Sequence, residues 1–247
     1  MNLTIAVIAK ECLPGRVKTR LTPPLTPAQA ACLAQTSLSQ TLDTVRALPA
    51  SRHLLVFDGA PHDGDAAGFE VWAQAGGGLD ERLAAICALA DGPLLIVGMD
   101  TPQLSRDQLA PLLADWSLPS PRCGAWLGPA SDGGFWALGL HRPDGWLVRG
   151  VEMSTARTGA DQLARLHGAG LAVGLLPTLR DVDHFADALA AATRCPGTPF
   201  ARAVQALAAA LASRPAGPAG GPPAGGSPVG GPPAGGLLTG PRPAARR

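Results

Sequence analysis

Residues 3–21 read LTIAVIAKECLPGRVKTRL, a short apolar run followed by a polar loop. The run LTIAVIA at residues 3–9 is continuous and rich in β-branched side chains, as expected of a strand buried on both faces of a parallel sheet. The Pro-Gly pair at positions 14 and 15 favours a turn in which the backbone can approach a ligand closely. This stretch therefore predicts an α/β fold with a loop at the carboxyl end of its first strand.

Strands and helices alternate along the rest of the chain as far as residue 212. Further strands are predicted at HLLVF (53–57), FEVWA (69–73), PLLIVGMD (93–100), GAWLG (124–128) and GFWALGL (134–140). Helices are predicted at residues 27–47, 79–90, 105–116, 158–166, 183–193 and 200–212, with Thr26, Ser105 and Asp183 as N-caps. The alternation predicts a mainly parallel sheet with helices on both faces, and ligands bind at the carboxyl ends of the strands of such sheets.

The composition changes at Arg214. Residues 214–247 contain 10 Gly and 9 Pro, with four Arg and no acidic residue. So many prolines remove backbone donors, and few apolar side chains are available to offset the ordering entropy. The predicted organisation is a folded domain at residues 1–213 and a disordered tail at residues 214–247. The folded domain keeps 16 basic and 19 acidic residues, which excludes the overall basic character of a nonspecific nucleic-acid binder.

The five cysteines are widely spaced and form no C-x-x-C pair. They fit the reduced thiols of a cytoplasmic protein better than a disulfide framework or a zinc site. The first apolar run is too short for the core of a signal peptide, and no uninterrupted apolar stretch is long enough to span a membrane. A cytoplasmic protein with no nucleic-acid or membrane partner is therefore expected.

Both lysines of the chain, Lys10 and Lys18, fall in the loop after the first strand, whereas the other 18 basic residues are all Arg. Arg suits the paired oxygens of a phosphate, and a Lys ammonium acts as a movable point charge. A solvated basic loop is the alternative to a phosphate site, and the absence of G-x-x-x-x-G-K-S/T excludes a Walker loop. The predicted phosphate-binding residues are Lys10, Gly15, Arg16, Lys18, Thr19 and Arg20.

Polar residues elsewhere could complete a site at the same edge of the sheet. Asp100 follows a buried strand directly, where it could hold Mg²⁺ or Mn²⁺ or cap the next turn. Asp132 precedes two glycines that form either a simple hairpin turn or a surface for a sugar or base. Asp181 and Asp183 point to the same side of an extended segment and could add a metal ligand. Ser154 and Thr155 could contact an acceptor or cap the next helix.

The motifs PGRVKTRL, GMDTP, GPASDGGFWALGL and DVD, in that order, resemble a small bacterial family of the nucleotide-diphospho-sugar transferase superfamily. Its members are described as glycosyltransferases of an arsenosugar- or selenium-associated type. The resemblance runs from about residue 5 to residue 187. It implies a GT-A-like three-layer α/β fold and a divalent metal, Mg²⁺ or Mn²⁺.

The resemblance also implies roles for individual residues. Phosphate binding falls to Arg16, Lys18 and Arg20, and Lys18 and Asp132 are the expected catalytic residues. The sugar or acceptor site comprises Asp132, Gly133, Gly134, Ser154 and Thr155, and the metal ligands are Asp100, Asp181 and Asp183. Three places depart from the family pattern. Phe135 stands where Tyr is frequent, Met153 stands where Trp is frequent, and residues 184–187 (HFAD) replace a continuation that usually contains threonine.

Three functions are compatible with these residues. The first is glycosyl transfer from a nucleotide-diphospho-sugar to a small-molecule acceptor. The second is nucleotidyl transfer, in which a phosphorylated acceptor attacks an NTP and pyrophosphate leaves. The third is a nucleotide-binding sensor without catalysis. The expected partners are accordingly a nucleotide sugar or an NTP, together with a small-molecule acceptor.

Overall fold

The computed structural model describes residues 2–213, which fold around a seven-stranded sheet. The strands are Thr4–Lys10 (β1), Arg52–Asp58 (β2), Glu70–Ala73 (β3), Leu94–Gly98 (β4), Ala125–Pro129 (β5), Phe135–Leu140 (β6) and Val173–Leu175 (β7). The helices are Pro27–Arg46 (α1), Asp63–Ala66 (α2), Leu79–Cys87 (α3), Arg106–Trp116 (α4), Thr158–Gly168 (α5), Phe185–Arg194 (α6) and Pro199–Ala212 (α7). The predicted tail lies outside the described residues, so its disorder and the boundary before it stay predictions.

The strands lie in the order β3-β2-β1-β4-β6-β5-β7. β1 is parallel to both of its neighbours, β2 and β4, whereas β6 runs antiparallel to β4 and β5. The reversal of β6 follows from its short connection to β5 at residues 130–134, which permits a hairpin but not a parallel crossover. The predicted α/β fold with a mainly parallel sheet is confirmed.

β1 is apolar along its whole length because both faces of the sheet are covered. Ile5 and Val7 belong to a core on one face with Leu38 of α1, and Ala6 belongs to the core on the other face with Leu83 of α3. Alternate side chains of a strand point to opposite faces, so neither set can be polar. The continuous apolar run at residues 3–9 is therefore a consequence of the layered architecture.

The beginning of α1 agrees with the sequence prediction. Thr26 Oγ1 accepts a hydrogen bond from the Gln29 N–H (3.3 Å), and Gln29 Oε1 accepts one from the Thr26 N–H (2.9 Å). This reciprocal pair is a capping box, and Pro27 occupies the first turn, where its missing N–H costs nothing. The helix therefore starts rigidly just after the basic loop.

The predicted N-cap of α6 is wrong. The helix begins at Phe185 with His184 as its N-cap, and the His184 N–H donates to Asp187 Oδ2 at 2.8 Å. Asp183 lies one residue earlier, where its carboxylate contacts basic side chains of the loop after β1 instead of the helix terminus. Its tertiary partners therefore outweigh the local capping pattern.

A small hydrophobic cluster holds two of the candidate loops together. Leu21 and Leu25, at the end of the basic loop, belong to this cluster with Val182 and with Phe200 of α7. The Val182 N–H also donates to the carbonyl oxygen of Asp100 at 3.2 Å. Because Val182 stands between Asp181 and Asp183, the cluster fixes both acids relative to the basic loop.

All five cysteines are free thiols, which agrees with the sequence prediction. Within residues 2–213, no helix is long and apolar enough to cross a membrane. The cytoplasmic location stays a prediction.

Candidate functional site

The carboxyl ends of β1 and β4 meet at one edge of the sheet, since Ile8 pairs with Gly98. The antiparallel β6 begins at this same edge, which brings the preceding Asp132 there. A parallel bridge between Ala130 and Leu179 brings the following Asp181 to the same place. The topology therefore gathers four segments that are far apart in the sequence.

A basic cavity of about 230 Å³ lies in the loop after β1. Its lining comprises Lys10, Arg16, Val17, Lys18, Thr19, Arg20, Asp100 and Asp183. Five of the six predicted phosphate-binding residues are therefore in it. Gly15 is outside the lining and forms the turn before it, with φ of +76°.

Lys18 is the most buried cation of this cavity, with only 9% of its side chain exposed. Its Nζ lies 3.0 Å from Asp100 Oδ2 and 3.2 Å from Asp183 Oδ1. Burial alone would lower the pKa of Lys18, but the two carboxylates raise it above its ordinary value. The backbone of Lys18 is left-handed, with φ of 47°, a conformation that is uncommon outside glycine. The Lys18 ammonium therefore lies between two acids.

A larger cavity of about 500 Å³ adjoins the basic one and shares Lys10, Asp100 and Asp183 with it. Its polar lining includes Asp132, Gly134, Ser154, Thr155 and Asp181 from the predicted site. Apolar side chains also line this cavity, among them Ile8, Leu79, Leu83, Ile96, Phe135 and Met153. The two cavities together can hold a ligand with an anionic part and a partly apolar part.

The turn between β5 and β6 is both a hairpin and a wall of the larger cavity. Asp132 Oδ1 accepts a hydrogen bond from the Gly134 N–H at 2.8 Å. Gly133 has φ of +93°, and a Cβ there would lie 2.1 Å from the carbonyl oxygen of Ala156. Glycine is therefore required at position 133 because the next loop passes directly against the backbone.

The loop before α5 carries the predicted Ser154 and Thr155. Ser154 has a left-handed backbone with φ of 61°. Thr158 Oγ1 accepts from the Thr155 N–H (3.1 Å), and its own O–H donates to the Glu152 carbonyl oxygen (2.9 Å). These bonds fix the loop at the cavity wall, so both predicted residues face the same space as Asp132.

Asp181 is the acid whose charge is least compensated. Burial, followed by repulsion from Asp132 and Asp100, raises the pKa of Asp181 from 3.8 to about 7, although Lys18 acts in the opposite direction. The charge of Asp183, by contrast, is compensated by two cations: Lys18 and Arg20 both contact its carboxylate, Arg20 at 3.1 Å. Among the described residues, Asp100 and Asp183 therefore make ion pairs at this edge, whereas Asp132 and Asp181 do not.

Asp100, Asp181 and Asp183 are the carboxylates at this edge that could bind a divalent cation. Among residues 2–213, no group of three or more His, Cys, Asp or Glu side chains is already arranged to hold a metal. Carboxylate oxygens are nevertheless the donors that Mg²⁺ and Mn²⁺ prefer, and burial together with the neighbouring Asp132 and Asp100 raises the pKa of Asp181. The chemistry of Asp100, Asp181 and Asp183 fits such a cation once Lys18 releases its carboxylates.

Four polar residues of the larger cavity were not among the predicted site residues: Gln74, Arg82, Thr101 and Thr158. Gln74 follows β3, and Arg82 lies in the first turns of α3. The run Gly76-Gly77-Gly78 between them resembles the glycine-rich turns of other ligand sites. That run, together with its position between a strand and a helix, was the feature of the sequence that could have indicated a ligand site near Gln74 and Arg82.

The fold is similar to solved structures that share little sequence with the chain. A Desulfovibrio desulfuricans G20 protein, provisionally named a nucleotide-diphospho-sugar transferase, has a TM-score of 0.74 at 21% identity, over 85% of this chain and 97% of the other. A Leptospira borgpetersenii cytidylyltransferase has a TM-score of 0.51 at 12% identity, over 86% of this chain and 96% of the other. CMP:2-keto-3-deoxy-manno-octonic acid synthetase, complexed with CTP, has a TM-score of 0.50 at 12% identity, over 85% of this chain and 99% of the other. These likenesses establish the GT-A-like class of fold.

Residues 41–155 match the family described as "Uncharacterized protein conserved in bacteria (DUF2064)". The matched stretch includes Asp100, Asp132 and Ser154, whereas the basic loop lies before it and Asp181 after it. Together with the fold, the match confirms the resemblance to a small bacterial GT-A-like family. No curated protein matches the sequence.

Proposed function

We propose that the protein is a metal-dependent transferase that uses a nucleotide-activated donor, and that its reaction is glycosyl transfer from a nucleotide-diphospho-sugar to a small-molecule acceptor. The observation that carries this proposal is the junction of the two cavities at Lys10, Asp100 and Asp183. A diphosphate in the basic cavity would extend the rest of the donor into the larger one. The family resemblance and the GT-A-like fold support the same conclusion.

The basic loop would stabilise the leaving group. An acceptor oxygen attacks the anomeric carbon, the bond from that carbon to the diphosphate oxygen breaks, and the electron pair stays on the diphosphate. Lys18, Arg16 and Arg20 line the cavity where this negative charge increases. Preorganised cations at the site of developing charge are an effective way to lower a barrier.

Asp132 would receive the proton of the acceptor hydroxyl. One of its oxygens already accepts the Gly134 N–H, which orients the carboxylate at the cavity wall. Ser154 and Thr155 line the same cavity and supply hydroxyl and backbone groups that suit a sugar or acceptor. A carboxylate with a fixed direction is better placed for proton transfer than a freely rotating one.

Asp100, Asp181 and Asp183 would hold Mg²⁺ or Mn²⁺, which supplies positive charge to the phosphates when it is bound. Lys18 now contacts two of these acids. Its flexible side chain allows its ammonium to move from Asp100 and Asp183 towards the phosphates when the donor arrives. The carboxylates are then released for the cation.

Nucleotidyl transfer is the second candidate, and the number of cations favours it. Lys10, Arg16, Lys18 and Arg20 all line the basic cavity, and four cations match the charge of a triphosphate better than that of a diphosphate. The CTP complex of the similarly folded synthetase is in keeping with this alternative. In that reaction the acceptor phosphate would attack the α-phosphorus and pyrophosphate would leave.

Identification of the released phosphate compound tests both candidates. The protein is incubated with Mg²⁺ or Mn²⁺, panels of nucleotide sugars and NTPs, and hydroxyl-bearing or phosphorylated acceptors, and the products are followed by phosphorus NMR. We expect the released compound to be a nucleoside diphosphate. Release of pyrophosphate would contradict glycosyl transfer and support nucleotidyl transfer. Nucleotide binding with neither product would contradict both reactions. The Asp100→Asn variant serves as the control for contaminating activity.

A further inference from the structure

Arg82 lies on the side of the larger cavity away from Asp132. Gln74, its neighbour, follows β3 at one edge of the sheet, whereas Asp132 precedes β6 on the other side of β1 and β4. Both sides line the same cavity. If Asp132 and Ser154 face the sugar or acceptor, as proposed above, the Arg82 side is left for the nucleoside of the donor.

The guanidinium of Arg82 is held in one orientation. Its Nε donates to the Gly77 carbonyl oxygen at 3.0 Å, and its Nη1 donates to Gln74 Oε1 at 3.2 Å and lies 3.9 Å from Asp58 Oδ2. Gln74 is fixed in turn, because its Nε2 donates to the carbonyl oxygens of Ala9 (2.6 Å) and Val56 (3.3 Å). No residue in the range 2–213 accepts a hydrogen bond from Arg82 Nη2. An oriented guanidinium with an unused donor therefore lines the cavity.

The surroundings of Arg82 suit a flat ring. Ile8, Leu79, Leu83 and Ile96 line the cavity around it and provide apolar surface from two strands and one helix. Gly76 has open space where a side chain would stand, so the nearby backbone is unobstructed. Apolar walls combined with a few fixed polar groups are typical of sites for small heterocycles.

We propose that Arg82 binds the nucleobase of the donor and selects bases that carry a carbonyl oxygen, namely cytosine, uracil or guanine, over adenine. This inference rests on the proposed function. Arg has only donors, which match a carbonyl oxygen but oppose the exocyclic amino group of adenine. The side-chain oxygen of Gln74 is already engaged by Arg82, and its amide nitrogen is engaged by two carbonyls. The free donor of the pair is therefore Arg82 Nη2, which a carbonyl oxygen can satisfy and an amino group cannot.

Binding of CDP, UDP, GDP and ADP in the presence of Mg²⁺ tests the selection, measured by isothermal titration calorimetry on the full chain. At least one carbonyl-bearing diphosphate should bind about tenfold or more tightly than ADP, the discrimination expected of one good Arg–base contact. In Arg82→Met this preference should shrink to about twofold or less, whereas affinity for Mg²⁺-pyrophosphate, which has no base, should not change. Arg82→Lys keeps the charge but loses the planar donor pair, and it should lose the preference as well.

Three results would overturn the inference: equal binding of ADP by the wild type, an unchanged preference in Arg82→Met, or an equal loss of pyrophosphate affinity in that variant. The last would mean that Arg82 binds phosphate. Unchanged melting temperatures of both variants ensure that a loss reflects the contact and not misfolding. If no diphosphate and no pyrophosphate bind to the wild type, the proposed function itself fails together with the inference.

Discussion

Replacement of Lys18 by Met tests whether this ammonium holds the two acids of the site. Met keeps most of the aliphatic stem and removes the charge that lies 3.0 Å from Asp100 and 3.2 Å from Asp183. Breaking a fully buried ion pair costs about 3–5 kcal/mol. Here the side chains of Asp100 and Asp183 are 42% and 36% exposed, so solvent can screen the carboxylates that remain. We therefore expect a loss of about 1–2 kcal/mol in the free energy of unfolding.

Urea denaturation at neutral pH measures this loss, and a double-mutant cycle with Asp100→Asn isolates the pair. The coupling energy should be about 1 kcal/mol. Lys10→Met is the matched control, because Lys10 lines both cavities but, among the described residues, makes no ion pair. It should change stability by less than about 0.5 kcal/mol. A coupling energy near zero, or equal effects of the two Lys variants, would refute the role given to Lys18.

Two further predictions concern the loops around the larger cavity. Gly133→Ala should lower the free energy of unfolding by about 3 kcal/mol or more, because φ is positive there and the new Cβ would lie 2.1 Å from a carbonyl oxygen. Gly15→Ala, where φ is +76° and no atom lies within 4 Å of the new Cβ, should lower it by only about 1 kcal/mol. Urea denaturation measures both losses. Equal losses would contradict the close approach at residue 133. Asp181→Asn should stabilise the metal-free protein. The pKa of Asp181 is about 7 in the folded state, above its ordinary 3.8, so ionisation opposes folding increasingly between about pH 4 and pH 7. The gain in melting temperature of Asp181→Asn should therefore be larger at pH 8 than at pH 5. A gain that does not vary with pH would refute the raised pKa of Asp181.

Elements with strong local patterns could be predicted from the sequence. β1 is a continuous apolar run because both sides of the sheet are covered, and Thr26 with Pro27 marks the start of α1. Most other boundaries agree within three residues. β7 was missed because it has only three residues, Val173–Leu175, too few for a period to appear. Helix α2 was missed as well, because its four residues, Asp63–Ala66, are too few to show a helical period.

The site could be predicted where composition was unusual and not where packing creates it. The concentration of both lysines in one loop indicated the basic cavity. By contrast, Asp183 has a plausible local role as a cap, and nothing near it in the sequence shows that Lys18, 165 residues away, contacts its carboxylate. Arg82 was missed because its orientation depends on Gln74, which is itself fixed by the carbonyls of two strands. Such contacts exist only once the sheet has formed.

The position of the phosphates is the central claim, and a crystal structure with Mn²⁺ and a nucleoside diphosphate tests it most directly. We predict that the diphosphate lies in the cavity lined by Arg16, Lys18 and Arg20, with the anomalous signal of Mn²⁺ beside Asp100. We also predict that Lys18 Nζ leaves at least one of its two carboxylates. A diphosphate bound away from this loop, or one bound there while both Lys18 ion pairs stay intact and Mn²⁺ lies elsewhere, would contradict the proposed site.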